Sequence, residues 1–165
     1  MSITLARVDD RVIHGQTTTR WSRARNVEGI VVVGDKIAND PLRKKVLKAA
    51  AGNLKLGIYP MNVAVEKVKM GLVSTKDLFL ISDSPQNFAQ LVKDGTDFGG
   101  VLNVGCMNTR AGAKVLGRTV CIDQADYDAF EYMEANGITI EFQLLPGDEI
   151  KSWKEMKAKY DALES

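Results

Sequence analysis

The chain has 165 residues, 45% hydrophobic and 26% charged, which suits one compact domain with a substantial core. A net charge of +1 gives no reason to expect a nucleic-acid partner. One histidine and two cysteines, Cys106 and Cys121, make no metal-type spacing, so the residues imply neither a metal nor a cofactor.

In chain order, residues 2–8 ("SITLARV") read as a strand; the N-terminal stretch lacks the apolar length expected of a signal peptide and is charged by Arg7. A helix is expected over 15–25. "GIVVVG" (29–34) has the β-branched run of a fully buried strand. "DPLRKKVLKAAA" (40–51) opens with an Asp40 cap and a proline at the first helical position. Next come a strand at 54–59, a helix at 62–71 and a strand at 77–82. A helix over 84–95 has Ser84 as cap, Pro85 as start and Gly95 as stop. Strands are expected at 98–104, 118–122 and 138–145, with a helix at 124–137. The segment 148–163 places Ile150, Trp153, Met156, Tyr160 and Leu163 on one helical face. The runs "IVVVG" and "LFLI" are too short to cross a bilayer, and two thiols suit a reduced, cytoplasmic setting.

Alternating strands and helices predict a three-layer α/β/α domain with a mostly parallel sheet. The alternation in "ITIEFQ" suits an edge strand or an antiparallel one. In such folds ligands bind at the carboxyl ends of the strands, so the loops 9–17, 35–41, 82–86 and 103–113 are the places to look.

The first of these loops, within "RVDDRVIHGQTTTRW" (7–21), holds His14, the chain's sole histidine. Near a helix N-terminus a neutral imidazole is a good nucleophile, and the same field favours an attached phosphoryl group. Arg11 offers a planar fork of donors to phosphate oxygens. Asp9 or Asp10 can accept from one ring nitrogen and free the other. Gly15 permits close backbone approach. From the residues alone, a polar loop in which Asp-Asp-Arg caps a helix and pairs locally is the more ordinary reading. Arg43 and Ser84 are candidate phosphate donors, or else a solvated helix residue and a simple cap. Gly105, in "NVGCMNTRAG" (103–112), has the freedom to let backbone approach His14. Cys106 reads as a small packed residue, with no second histidine to activate it. Arg20, Arg23 and Arg25, with Trp21 among them, form either a solvated face with the indole packed inward or a docking surface for an acidic partner.

"ARVDDRVIHGQTTTRW" resembles the signature R-I-D-D-R-L-I-H-G-Q-V of the IIB subunits of the mannose/fructose/sorbose class of the bacterial phosphoenolpyruvate-dependent sugar phosphotransferase system. "VVVGDKIANDPLRKKVL", "LNVGCMNTRAG" and "YMEANGITIEFQLLP" are similar to further segments of that family, so the likeness spans nearly the whole chain, 1–165. Thr17 and Cys106 depart from its usual valine and glycine.

The resemblance implies that His14 accepts a phosphoryl group from a phosphorylated IIA protein. His14 would then pass it to a sugar held by the membrane subunits IIC and IID, at the inner face of the membrane. Carried onto this sequence, it makes Asp9 the orienting acid, Arg11 the phosphoryl binder and Arg43 a further contact; Gly15, Gln16, Ser84 and Gly105 complete the candidate phosphoryl-binding set expected from the loops. It does not select among mannose, fructose, sorbose and amino sugars. Pairing of two copies through an edge strand or the final helix is left open. The competing reading is a non-catalytic module that binds an anion or phosphorylated metabolite with the same loops.

Overall fold

The computed structural model describes residues 2–163, apart from the side chain of Gln16. The strands are β1 (Ile3–Val8), β2 (Gly29–Val33), β3 (Lys55–Tyr59), β4 (Leu78–Ser82), β5 (Val101–Val104), β6 (Lys114–Val115), β7 (Cys121–Ile122), β8 (Thr139–Phe142) and β9 (Lys151–Ser152). The helices are α1 (Gly15–Ala24), α2 (Asp35–Ala38), α3 (Pro41–Ala51), α4 (Met61–Leu72), α5 (Pro85–Lys93), α6 (Gln124–Ala135) and α7 (Trp153–Ala162). The main sheet runs β3-β2-β4-β1-β5-β8-β9, parallel throughout except where β9 pairs antiparallel with β8.

Side-chain alternation along the strands builds two cores, one on each face of the sheet. Leu5, Ile30, Val32, Phe79 and Ile81 pack with Trp21 of α1, Ile37 of α2 and Leu47 of α3. Ala6, Val8, Leu80, Leu102 and Val104 pack on the other face with Val68 of α4, Phe88 of α5, Phe130 of α6 and Trp153 of α7. The chain therefore leaves β1 toward one face and leaves its neighbours β4 and β5 toward the other. That divergence opens a crevice at the carboxyl end of β1, the switch point of a doubly wound sheet.

The expected helix starts hold. The Asp40 carboxylate accepts from the Arg43 N–H at 3.0 Å, and the Ser84 hydroxyl accepts from the Asn87 N–H. Four details differ from the sequence reading. The four-residue α2 shows no periodicity long enough to be read. Residues 118–122 contribute only Cys121–Ile122, which pair antiparallel with β6 in a separate ribbon. The antiparallel edge strand is β9, inside the segment read as helix from 148, whereas β8 is an inner parallel strand. Its "ITIEFQ" alternation has a different cause: Ile140 and Phe142 are buried against the α4–α7 layer, while Thr139 and Glu141 face the side covered only by α1–α3. Finally, Trp153, Met156 and Tyr160 are buried as expected, but Ile150 and Leu163 are exposed.

Candidate phosphoryl-acceptor site

β1 ends at Val8, and the loop that follows is tied to both neighbouring strand ends. The Asp9 N–H donates to the Ser82 carbonyl at 3.0 Å, and the Asp10 N–H to the Cys106 carbonyl at 2.9 Å. Val12 then adopts φ +62°, a left-handed conformation that costs a β-branched residue about 1–3 kcal/mol. Burial of Val12 and Ile13 holds this turn in place and lifts the next residue to the rim. That residue, His14, is the N-cap of α1, and its N–H donates to Thr18 Oγ1 at 2.9 Å. Its side chain makes no cap hydrogen bond, and α1 has no acidic residue in its first turn. Among the described residues, therefore, no side chain caps the N-terminal amides of α1, which can meet an anion.

The imidazole is 12% exposed, and its Nε2 lies 3.0 Å from Oδ2 of Asp9, which is 1% exposed. An ionised carboxylate only accepts, so Nε2 carries the hydrogen and the neutral ring keeps its lone pair on Nδ1. Asp9 is itself fixed: Oδ1 accepts from the Arg11 N–H at 3.0 Å, and Oδ2 lies 3.5 Å from Nη2 of Arg7. Of the two acids that the sequence offered for the ring, the structure uses Asp9. Asp10 instead accepts the Asn108 N–H, lacing the first loop to the fourth, and burial raises its carboxyl above the usual range.

Arg7 was read only as part of a strand. It is 2% exposed and donates to Asn103 Oδ1 and to the carbonyls of Gln143 and Leu144, both at 2.9 Å. Its guanidinium lies over the Trp21 ring at 5.0 Å. Burial lowers its pKa to about 10, partly offset by Asp9, so it stays cationic near neutrality. The available signal was an arginine inside an otherwise apolar strand, since arginine is seldom fully buried without a partner.

The remaining predicted residues divide. Arg11 is exposed, and among the described residues its guanidinium has no hydrogen-bond or ion-pair partner. Arg43 reaches the loop from α3: Nη2 donates to the Asp10 carbonyl at 3.2 Å, and Nη1 lies 3.7 Å from Asp83. Gly15 is exposed with φ +48° and open space around it, as close backbone approach requires. The side chain of Gln16 lies outside the described residues.

Gly105 does not serve as expected. Its N–H is donated to the Val8 carbonyl at 2.9 Å, and the space left by its missing side chain is filled by the Arg7 guanidinium. Ser84 caps α5 and opens onto a cleft of about 480 Å³ shared with Asp10, Asp35, Asp83 and Asp123, whose wall does not include His14. The wall also carries Lys36, Asp126 and an Arg110 engaged by Asp123 and Asp126, and its carboxylates outnumber its cations, which disfavours phosphate there. Ser82 is buried and donates to the Val33 carbonyl at 2.6 Å. The Cys106 thiol donates to Asn108 Oδ1 at 3.3 Å, and burial with the charges of Asp9 and Asp10 pushes its pKa up, which keeps it protonated and unreactive.

Fold and site together define a doubly wound α/β protein with a carboxylate-held histidine at its switch point and arginines on either side. The model of the PTS system sorbose subfamily IIB component matches residues 3–165, and the chain belongs to that family. The sorbose-specific EIIB component of Klebsiella pneumoniae is 32% identical over 149 residues, 90% of each chain. The mannose-specific EIIAB component of Escherichia coli K12 is 32% identical over 162 residues, 98% of this chain and 50% of that one. The crystal structure of the IIBSor domain of the Klebsiella pneumoniae sorbose permease superposes with a TM-score of 0.89 at 30% identity, covering 96% of this chain and 98% of that one. The chain is thus a component of the sugar phosphotransferase system. Among the described residues no helix is long and apolar enough to cross a membrane.

Proposed function

We propose that Nδ1 of His14 accepts the phosphoryl group of a phosphorylated IIA protein and passes it to a sugar held by the IIC and IID subunits at the cytoplasmic face of the membrane. The observation that supports this most is the 3.0 Å approach of Nε2 to Asp9, which leaves Nδ1 as the nitrogen with a free lone pair on a partly exposed ring. The mannose-specific relative, whose name joins an A and a B component, supports IIA as the donor.

In the first transfer, the donor's N–P bond breaks as the Nδ1–P bond forms. The imidazole keeps its Nε2–H on Asp9, which stabilises the positive charge that the ring gains. The transition state is loose and spreads charge over three equatorial oxygens, so catalysis is positioning and charge stabilisation. Arg11 and the open amides of α1 supply the donors. Arg43 holds the Asp10 carbonyl and keeps the loop in register. In the second transfer a sugar hydroxyl oxygen attacks phosphorus and loses its proton to solvent, the Nδ1–P bond breaks with its electron pair returning to Nδ1, and His14 leaves as the neutral Nε2–H tautomer.

The test is to incubate the protein with phosphoenolpyruvate, the general phosphotransfer proteins and a cognate IIA protein. Acid-labile, base-stable label is expected on His14 and is expected to vanish in His14→Ala. A folded sample that takes no label yet binds a phosphorylated metabolite saturably would replace this reading with that of a binding module.

A further inference from the structure

The two helical layers differ in charge. Between residues 11 and 48, which form the α1–α3 layer and β2, there are nine cationic and three acidic side chains. The helices of the opposite layer, α4–α7, carry six cationic and seven acidic side chains. A chain of net charge +1 therefore concentrates its excess of cations on the α1–α3 side, opposite a nearly neutral layer. On the basic side Arg20, Arg23, Lys44, Lys45 and Lys48 are exposed, and the one ion pair made there among the described residues is Arg43–Asp83.

The same side carries an apolar pair. Leu42 and Val46, one turn apart on α3, are 72% and 58% exposed. Arg43, between them in sequence, reaches the Asp10 carbonyl, so this stripe adjoins the His14 loop. His14 itself begins α1, whose outer face continues through Arg20 and Arg23. An apolar centre with a charged rim, adjoining the loop that carries the acceptor histidine, is the anatomy of a transient protein interface.

We propose that the outer face of α1 and α3, with Leu42 and Val46 as anchors and Arg20 and Arg23 at the rim, is the docking surface for the protein that delivers the phosphoryl group, and that this partner presents an acidic surface with a shallow apolar depression around its phosphohistidine. The proposal rests on the phosphoryl-acceptor reading of His14. Charge complementarity selects the occupant: a basic face repels a second copy of itself and steers an acidic partner, whose encounter is then fast and sensitive to salt. The contact buries few large side chains, in keeping with a carrier that must release one partner to meet the next.

The test compares two phosphoryl donors. The phosphorylated cognate IIA protein must dock, whereas phosphoramidate is small and need not. In the variants Leu42→Asp with Val46→Asp, and Arg20→Glu with Arg23→Glu, labelling of His14 from the IIA protein is expected to slow by about tenfold or more. Labelling from phosphoramidate is expected to match the unmodified protein. Unchanged transfer from the IIA protein overturns the docking surface, and so does equal slowing with both donors. If phosphoramidate labels His14 in the unmodified protein but the variants transfer normally, the docking surface fails while the acceptor reading stands. If neither donor labels the unmodified protein, the acceptor reading fails and takes this surface with it.

Discussion

Gly105 and Arg7 compete for one volume: a Cβ placed on Gly105 would overlap Nη2, Cζ and Nε of Arg7. The Gly105 N–H meanwhile pairs with the Val8 carbonyl, so the backbone there has no freedom to retreat. Gly105→Ala must therefore push Arg7 away from Asn103, Leu144 and Asp9. A loss of about 1–3 kcal/mol is expected in chemical denaturation, the usual cost of overpacking. Slower phosphorylation of His14 should accompany it.

Replacing Arg7 tests the same chain of contacts from its far end. Arg7→Gln leaves a 1%-exposed carboxylate without its cationic neighbour and removes the cover of the Trp21 ring. Breaking one side of a buried pair costs about 3–5 kcal/mol. Urea denaturation of the variant checks this, and a loss below about 1 kcal/mol would show that Arg7 is not bound into the site as described.

Asp9→Asn keeps the shape of the side chain but no longer demands a hydrogen on Nε2. In ¹⁵N spectra of the unmodified protein the neutral His14 ring should be the Nε2–H tautomer, and the variant should show a mixture. Transfer from the phosphorylated donor is expected to slow by about a hundredfold or more, as when a triad carboxylate loses its orienting role.

Arg11→Lys separates chemistry from stability. Its guanidinium is exposed and engages none of the described side chains, so the melting temperature should stay within about 2 °C. A point charge cannot reproduce the planar fork, so phosphoryl transfer should slow by about tenfold. An unfolded variant would instead make Arg11 structural.

Burial raises the Asp10 carboxyl above its ordinary value of 3.8. The folded state therefore holds this proton more tightly than the unfolded one. The group's contribution is fully present below the ordinary value and is lost as pH rises through the folded-state value. Asp10→Asn keeps an oxygen to accept the Asn108 N–H without the titration. The unmodified protein should thus lose stability relative to Asp10→Asn as pH rises from acid toward neutrality, measured by urea denaturation at several pH values.

Much of this fold was legible because its strands are buried runs and its helices carry explicit start signals. Asp40–Pro41 and Ser84–Pro85 mark true helix starts, and "GIVVVG" is an inner strand flanked on both sides. The elements that escaped, α2, β6 and β9, are two to four residues long, below the length at which periodicity carries information. At the site, spacing put His14 within reach of Asp9 or Asp10 on one short turn, the family resemblance pointed to Asp9, and the packed loop pairs the ring with Asp9. Arg7 was not, because its role depends on Asn103, Gln143 and Leu144, which are about 100 residues or more away in sequence. Gly105 was flagged for its flexibility, and its position instead follows from volume, which only the packed structure displays.

The acceptor atom is the point on which the account turns, and ³¹P–¹⁵N correlation spectra of the protein phosphorylated through a cognate IIA protein read it directly. The geometry predicts phosphorus bonded to Nδ1 of His14 with the hydrogen retained on Nε2 beside Asp9. Phosphorus on Nε2, or on any other side chain, would contradict it.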